Sequence, residues 1–487
     1  MRNLLCRCLL SIASVPLIAA LPAAASERAK DPRIQQFENG LLPRAALKKN
    51  LGRTASITQR MQDLGMPGVS VAVIDEGKVV LTRAYGLRDT VEKTPVTTET
   101  LFQAGSISKP VAALGALRLV QEGKLSLDED VNAKLRTWRV PENEFTTNEK
   151  VTLRRLVSHT AGLTVHGFPG YAAGVQVPTV VQVLNGEPPA NTPPVRVDIR
   201  PGSTYRYSGG GYTVMQLLIA DVSNESFETF MQTKVLDVLG MKSSTYAQNP
   251  PAALAARRAS GHRPGGMRIP GKLHIYPEMA AAGLWTTAAD LAQYLIYVQT
   301  AVGGDTGPLL NSSLANELVT RQQGSHHGLG PEIYEVGEFA RFGHNGVNEG
   351  FEAAAVAYVA QGKGVVIMAN ANGAGSFFDE VKASVARAYG WPGFPAQSQL
   401  EAVPVSAWLL KRAPGKYRIS ETLTLQVSAR DGRLFFELSD GGRAELFARS
   451  ATELYGQYGS QTLRLVEAEG KVTALKRHDG REFQRLD

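Results

Sequence analysis

At 487 residues the chain has ample length for one large core and a second, smaller one. Its formal charge of +7 is modest and scattered, and no long lysine or arginine run is interleaved with aromatics, which argues against a nucleic-acid-binding surface. Its two cysteines, Cys6 and Cys8, both fall in the leader described next, so the mature chain is expected to lack disulfides, thiol catalysis and cysteine-ligated zinc.

Arg2 and Arg7 flank the start of an apolar run from Leu9 to Leu21, and Ala23-Ala24-Ala25 then leads to Ser26. This is the order of a secretory signal, with cleavage expected after Ala25. The run is shorter than the roughly 20 residues a bilayer span needs, and no other stretch approaches that length. Residues 1–25 are therefore expected to be a signal peptide and the mature chain to be periplasmic or secreted, with no membrane span. The alternative is an uncleaved amino-terminal anchor. Cleavage removes two arginines and no acids, leaving 7 − 2 = +5.

The next elements in chain order are a strand over Val69–Ile74, a turn at Asp75-Glu76-Gly77 and a second strand over Lys78–Gly86. Ala104-Gly105-Ser106 then precedes a helix whose apolar face is Val111, Leu114, Leu117 and Val120, ending at Glu122-Gly123. Pro110 falls in its first turns, where a missing donor costs little. Ser106 thus sits at a helix start, where free N–H groups favour negative charge. Lys109 follows three residues later, one turn along the same face, beside a hydroxyl that is a poor nucleophile unless a base takes its proton.

From Leu125 to about Pro250, helices alternate with long loops rich in proline and glycine, notably 167–200. Pro201 to Tyr212 is a glycine-rich loop carrying Tyr205 and Tyr207, followed by a helix over Val214–Val222. Thr287 caps a further helix, with Asp290 three residues on. Strands are expected over Phe339–Phe342, Phe351–Ala360 and Gly364–Asn370, and a helix over Phe377–Tyr389. Gly343-His344-Asn345-Gly346 lies at a strand edge where glycines let a substrate backbone approach closely. Strands at both ends with helices between predict an α+β domain with one antiparallel sheet assembled from distant sequence. Beyond Pro395, six short strands lie over Tyr417–Ile419, Leu423–Val427, Leu434–Leu438, Ala444–Phe447, Thr462–Val466 and Val472–Lys476. Turns such as Asp431-Gly432, Asp440-Gly441-Gly442 and Asp479-Gly480 separate them, predicting a separate small all-β unit, a barrel or sandwich, over 396–487.

Other candidates read as structural. His159 suits a loop histidine bonding backbone. Adjacent His326 and His327 would point apart on a strand or helix and no acidic cluster accompanies them, so no metal is expected. The segment from His166 to Tyr171 either walls a cleft or packs a long loop. No Gly-x-Ser-x-Gly occurs, which removes an α/β-hydrolase elbow.

Ser106-x-x-Lys109, Tyr207-Ser208-Gly209 and His344-Asn345-Gly346, in that order across residues 60 to 390, resemble the three motifs of the serine β-lactamase and penicillin-binding-protein superfamily. They resemble most its class C-like branch, which includes carboxylesterases and D-amino-acid-specific peptidases. Leu156 to Leu163 and Gly123 to Asp128 also look like recurring stretches of that branch. The resemblance implies a β-lactamase/transpeptidase-like domain over 26–395, an antiparallel sheet flanked by helices plus an all-helical region. It implies Ser106 as acylated nucleophile, Lys109 as its base or pKa-lowering partner, Tyr207 as proton shuttle and His344 as a further catalytic residue. Gly346, Val347, Gly209 and Asn345 would contact substrate, with the Ser106 and Val347 N–H groups forming the oxyanion hole. No cofactor is implied, and the expected partner is a small-molecule or peptide substrate.

Two positions depart from the pattern. Gly209 stands where β-lactamases typically carry an asparagine amide, and His344, mostly neutral near pH 7, stands where many members carry a lysine. Both argue for an ester, amide or peptide substrate over a β-lactam. The alternatives are a β-lactamase or D-alanyl carboxypeptidase-type enzyme, and a non-catalytic envelope ligand-binding protein on the same fold.

Overall fold

The structure is a computed structural model that describes residues 31–487 except 44, 48–50, 306, 308, 420–423, 440–442, 457–461 and 478–479. The expected leader with both cysteines lies outside the described residues, as do the turn at 440–442, Asp479 and the expected strand start Leu423.

The elements that carry the site are α1 (Pro32–Glu38), β1 (Gly68–Asp75), β2 (Lys78–Asp89), β3 (Thr94–Pro95), α2 (Ser108–Gln121), α3 (Gly209–Ser223), α4 (Ala288–Val302), β4 (Glu332–Glu335), β5 (Arg341–Asn348), β6 (Phe351–Tyr358), β7 (Gly364–Ala369) and α5 (Gly375–Ala388). The seven strands form one antiparallel sheet in the order β4-β5-β6-β7-β1-β2-β3. Its two sequence-distant halves join where β7 pairs with β1, Val365 opposite Val73 and Ile367 opposite Val71.

Strand periodicity sends alternate side chains into two cores. Ala72, Ile74, Ala353, Ala355, Val366 and Met368 pack with α2, α3 and α4, while Val69, Val71, Val73, Ala354, Val365 and Ile367 pack with α1 and α5. With both faces covered, every residue of β1 is buried. The helix α2 lies deep in the first core, and all of its residues from Ser108 to Leu117 are buried, Lys109 among them. Its side chain is therefore little exposed, unlike the usual surface lysine that snorkels to water.

Several boundaries differ from the sequence reading, and two of them bear on the site. The third helix begins at Gly209, five residues before the expected Val214, with Ser208 capping it by accepting from the Gly211 N–H. Its opening glycines read as loop, yet the first two are closely packed: a Cβ at Gly210 would stand 2.8 Å from the Thr164 carbonyl oxygen and one at Gly209 3.0 Å from the Phe168 ring. The strand expected to end at Phe342 runs on through Asn348. Of this strand only Arg341 to Gly343 pairs with β4, so its half from His344 to Asn348 is an open edge on that side.

The turn Gly105–Ile107 lies against that open edge. A Cβ at Gly346 would meet the Ala104 carbonyl oxygen at 1.9 Å, and Gly105, at φ +53°, has the Val347 nitrogen 2.5 Å from where its own Cβ would stand.

Beyond residue 395, Ser398–Leu400 pairs in parallel with Ala45–Leu47, the helix Ala407–Arg412 follows, and eight strands from Gly415–Arg418 to Glu482–Arg485 close into a barrel. Two of them, Glu453–Gly456 and Glu482–Arg485, escaped the sequence reading because four residues with outward charges carry little alternation. Among the described residues no helix is long and apolar enough to cross a membrane.

The glycine seam makes a testable demand. Gly346→Ala should push β5 off the 105–107 turn and cost about 1–3 kcal/mol, read as a lowered midpoint in thermal unfolding. An unchanged midpoint would show that the seam is loose.

Candidate active site

Ser106 occupies a single turn of 3₁₀-helix, Gly105–Ile107, that runs directly into α2. The turn is fastened from several sides. The Ala104 N–H donates to the Leu284 carbonyl at 2.9 Å, the Ser108 hydroxyl donates to the Gly105 carbonyl at 2.6 Å and accepts from the Leu284 N–H at 2.9 Å, and the Tyr246 hydroxyl donates to the Ser108 carbonyl at 2.7 Å.

Lys109 follows the i, i+3 geometry of its spacing. Its Nζ lies 3.0 Å from Ser106 Oγ and donates to the Ala281 carbonyl at 2.9 Å. The side chain is buried, and among the described residues no carboxylate forms an ion pair with it. Burial without a counter-charge penalises the ammonium form and lowers the Lys109 pKa from 10.5 to about 7. A substantial fraction is then free amine at neutral pH, able to accept a proton from the hydroxyl beside it.

Tyr207 closes the other side. The Lys109 Nζ sits 4.9 Å from the Tyr207 ring centroid. Burial holds the phenol well above its usual range, opposed in part by the Ser106 hydroxyl. Its backbone is held by His159, whose carbonyl accepts from the Arg206 N–H at 2.9 Å and whose Nδ1 accepts from the Ser208 N–H at 3.1 Å. The His159 ring also stacks on Tyr207 at 4.1 Å and 27°. The expected backbone-bonding histidine is thus in place, and it brackets the tyrosine from both neighbours.

His344 projects from β5 on the same face as Asn348, whose amide donates to Gln103 Oε1 at 2.9 Å and to the Ala282 carbonyl at 3.0 Å. The His344 Nδ1 faces the Asn345 carbonyl, so it carries the proton, and Nε2, the acceptor, is buried without a partner in the described residues. Burial first, then His327 and Lys109, push the imidazole well below its usual pKa. His344 is therefore neutral at pH 7.

The cleft around these groups holds about 510 Å³. Ser106, Lys109, Tyr207, His344, Asn345 and Val347 all line it. Val347 is 62% exposed, on the open edge. Gly346 lies in the seam beneath, and Gly209 sits behind Phe168 and His166, off the lining.

The sequence reading missed several wall residues. His166, Gly167 and Phe168 line the cleft, which settles the alternatives left open for that loop, while Tyr171 is buried behind it. His326 and His327 do not point apart. His326 sits in a bend and His327 bridges to Glu332, their rings 4.8 Å from each other, with Tyr205 against His326 at 4.2 Å and His327 between His159 and His344 at 4.8 and 5.6 Å. Their adjacency was the only sequence signal, and it carried no information about the bend. Among the described residues no group of three or more histidine, cysteine or acidic side chains is placed to hold a metal.

Known proteins resemble this chain in sequence and in fold. The sequence model of the family described as Beta-lactamase matches residues 54–389, more than half of the chain. The chain belongs to that family. Penicillin-binding protein 4* of Bacillus subtilis (strain 168) is 20% identical over 421 residues, 79% of this chain and 87% of that protein. Protein flp of Staphylococcus aureus (strain MRSA252) is 25% identical over 196 residues, 40% of this chain, and the match spans only 37% of that relative. Among solved structures, the octameric penicillin-binding protein homologue from Pyrococcus abyssi superposes with a TM-score of 0.57 at 20% identity, covering 88% of this chain and 98% of the other. SurE with D-Leu superposes with a TM-score of 0.55 at 23% identity, covering 88% and 97%. The fold is the β-lactamase/transpeptidase-like one, with a carboxy-terminal barrel. The family places the chain in the serine β-lactamase and penicillin-binding-protein superfamily.

The buried amine can be read directly. In protein labelled at lysine, NMR should show one side chain titrating near pH 7 instead of near 10, and that signal should vanish in Lys109→Met. A spectrum in which every lysine titrates above 9 would contradict the site as described.

Proposed function

We propose that this chain is an exported hydrolase that cleaves an ester, amide or peptide bond through an acyl-enzyme on Ser106. The observation that carries the reading is the 3.0 Å approach of a buried, unpaired Lys109 amine to the Ser106 hydroxyl. In the acylation step the Lys109 amine takes the hydroxyl proton as Oγ bonds to the substrate carbonyl carbon, and the carbonyl electrons move onto its oxygen. The N–H groups of Ser106 and Val347 hold that oxyanion. Collapse of the intermediate expels the alcohol or amine, which receives a proton by way of Tyr207, and leaves an ester on Ser106. Water attacks that ester in the second half, its proton returning to the amine, and the acid product departs with Ser106 restored.

The phenol suits the shuttle as a neutral donor: held well above its usual range, it keeps its proton until a leaving group with greater basicity draws it. His344, depressed far below neutrality, is a poor general base. It serves as a neutral wall and acceptor instead. Asn345 and Val347 offer an open strand edge to an extended substrate, and Gly346 keeps that edge close to Ser106.

The same features weigh against a β-lactam or a peptide carboxylate as the preferred substrate. Among the described residues no lysine or arginine other than Lys109 lines the cleft, and the neutral His344 supplies no permanent cation for a substrate carboxylate. Export rests on the leader at residues 1–25.

Turnover of p-nitrophenyl acetate tests this reading. Ser106→Ala should lose about 10³-fold or more in kcat, and Tyr207→Phe should lose about 10²–10⁴-fold on an alkyl ester or an amide, whose leaving group needs a proton, and far less on p-nitrophenyl acetate. The rate in the native enzyme should rise with pH through about 7 as Lys109 loses its proton. Full activity in Ser106→Ala would refute the assignment, and nitrocefin turnover matching that of simple esters would favour a lactamase.

A further inference from the structure

The hairpin that follows the His326 bend brings one acidic side chain to the cleft. His327 and Glu332 bridge antiparallel, the Ile333 N–H donates to the His326 carbonyl at 2.9 Å, and Glu332 stands opposite Gly343 on β5, next to His344. Among the described residues Glu332 is the only carboxylate lining the cleft, and Lys109, the only lysine or arginine there, is committed to Ser106 and the Ala281 carbonyl.

Its surroundings leave that carboxylate short of a close cation. His326 Nε2 is 3.8 Å away, too far for a hydrogen bond, and the Glu332 side chain is 31% exposed. Arg321 and Lys382 are near enough to favour its charged form, but the Arg321 guanidinium donates to the Ile333 carbonyl at 2.8 and 3.2 Å and Lys382 pairs with Asp379 at 2.7 Å. The Tyr334 hydroxyl supplies a hydrogen bond. Burial, the largest influence, pushes the Glu332 carboxyl upward, so a positive charge brought beside it would be favoured.

Aromatic rings complete the wall. Tyr205 lies against His326 at 4.2 Å between centroids and against His327 at 5.8 Å, nearly parallel to the latter at 16°. Tyr207 and His166 are 4.8 Å apart, and Phe168 lines the same cleft. Ring faces attract cations through their quadrupole, most strongly where water is partly excluded. A lone carboxylate beside such rings suits a positive, weakly hydrated nitrogen and repels an anion.

We propose that Glu332, with the rings of Tyr205 and His326, forms a subsite for an alkylammonium group carried on the acyl part of the substrate. The inference rests on the hydrolase reading above, since it names the class of substrate that reading leaves open. It assigns the cleft to cationic acyl compounds in preference to neutral ones of the same shape.

The test uses an isosteric pair, p-nitrophenyl 4-(trimethylammonio)butanoate and p-nitrophenyl 5,5-dimethylhexanoate, which differ in charge and hardly in shape. In the native enzyme kcat/KM should favour the cationic ester by about tenfold, in Glu332→Gln the ratio should fall to near one, and Glu332→Asp should retain a preference. The corresponding primary amides, titrated calorimetrically into Ser106→Ala, read the same preference as a ratio of Kd values without turnover. No hydrolysis of either ester, with the Kd preference intact and lost in Ser106→Ala/Glu332→Gln, would support the subsite while removing the hydrolase reading. Hydrolysis with no preference for the cation, or a preference that survives Glu332→Gln, would overturn the subsite and leave the hydrolase reading standing.

Discussion

Enclosing a lysine amine in a protein core without an anion is costly unless the group sheds its proton, and the site is organised around that constraint. Lys109 sits in the first turn of a helix whose next eight residues, Pro110 to Leu117, are all buried, and its own side chain is buried with them. Its two polar contacts are a hydroxyl and a backbone carbonyl, neither of which stabilises an ammonium as a carboxylate would. The helix thereby places a serine hydroxyl at its start and a buried amine of lowered pKa one turn along, the two groups that the proposed acyl transfer would use. Packing fixes that geometry, and desolvation sets the proton affinity.

The rest of the fold keeps the pair in this state. The turn bearing Ser106 is trapped between α2 and the open half of β5, a gap narrow enough that Gly346 and Gly105 admit no side chain. Aromatic groups with suppressed charge then enclose the lysine. His159, His327 and His344 are all held well below their usual pKa by burial, with the Lys109 charge a further contribution to each. Five of the eight histidines in the sequence lie in this ring cluster. Neutral imidazoles wall the cleft without placing a second formal charge next to the amine. Glu332 is the exception on the lining, and it lies on the hairpin across from β5, away from the α2 turn.

The sequence revealed the parts of this arrangement that depend on local spacing. A serine and a lysine three residues apart at a helix start announce their juxtaposition, and the strand pattern of 69–86 and 351–370 anticipates most of the sheet. Tyr207 and His344 became legible only through family motifs, since nothing local ties either residue to Ser106. Packing between distant segments left no such mark. The first turn of α3 reads as a flexible glycine loop, although those glycines exist to fit under the 164–168 segment. His326-His327 reads as a surface dipeptide, although a bend turns both rings into the cleft. Glu332 drew no notice because its significance lies in being the one acid among the residues that meet there, a property of the assembled wall.

The account stands on covalent chemistry at one atom. The most direct measurement is mass analysis of the peptide bearing Ser106 after the protein, at a pH above 7 where Lys109 is free amine, is mixed with excess activated ester and acid-quenched within the first turnover. The account predicts a mass increase equal to the acyl group, located on Ser106 and absent from Ser106→Ala. Acyl transfer to a different side chain, with turnover retained in Ser106→Ala, would contradict it.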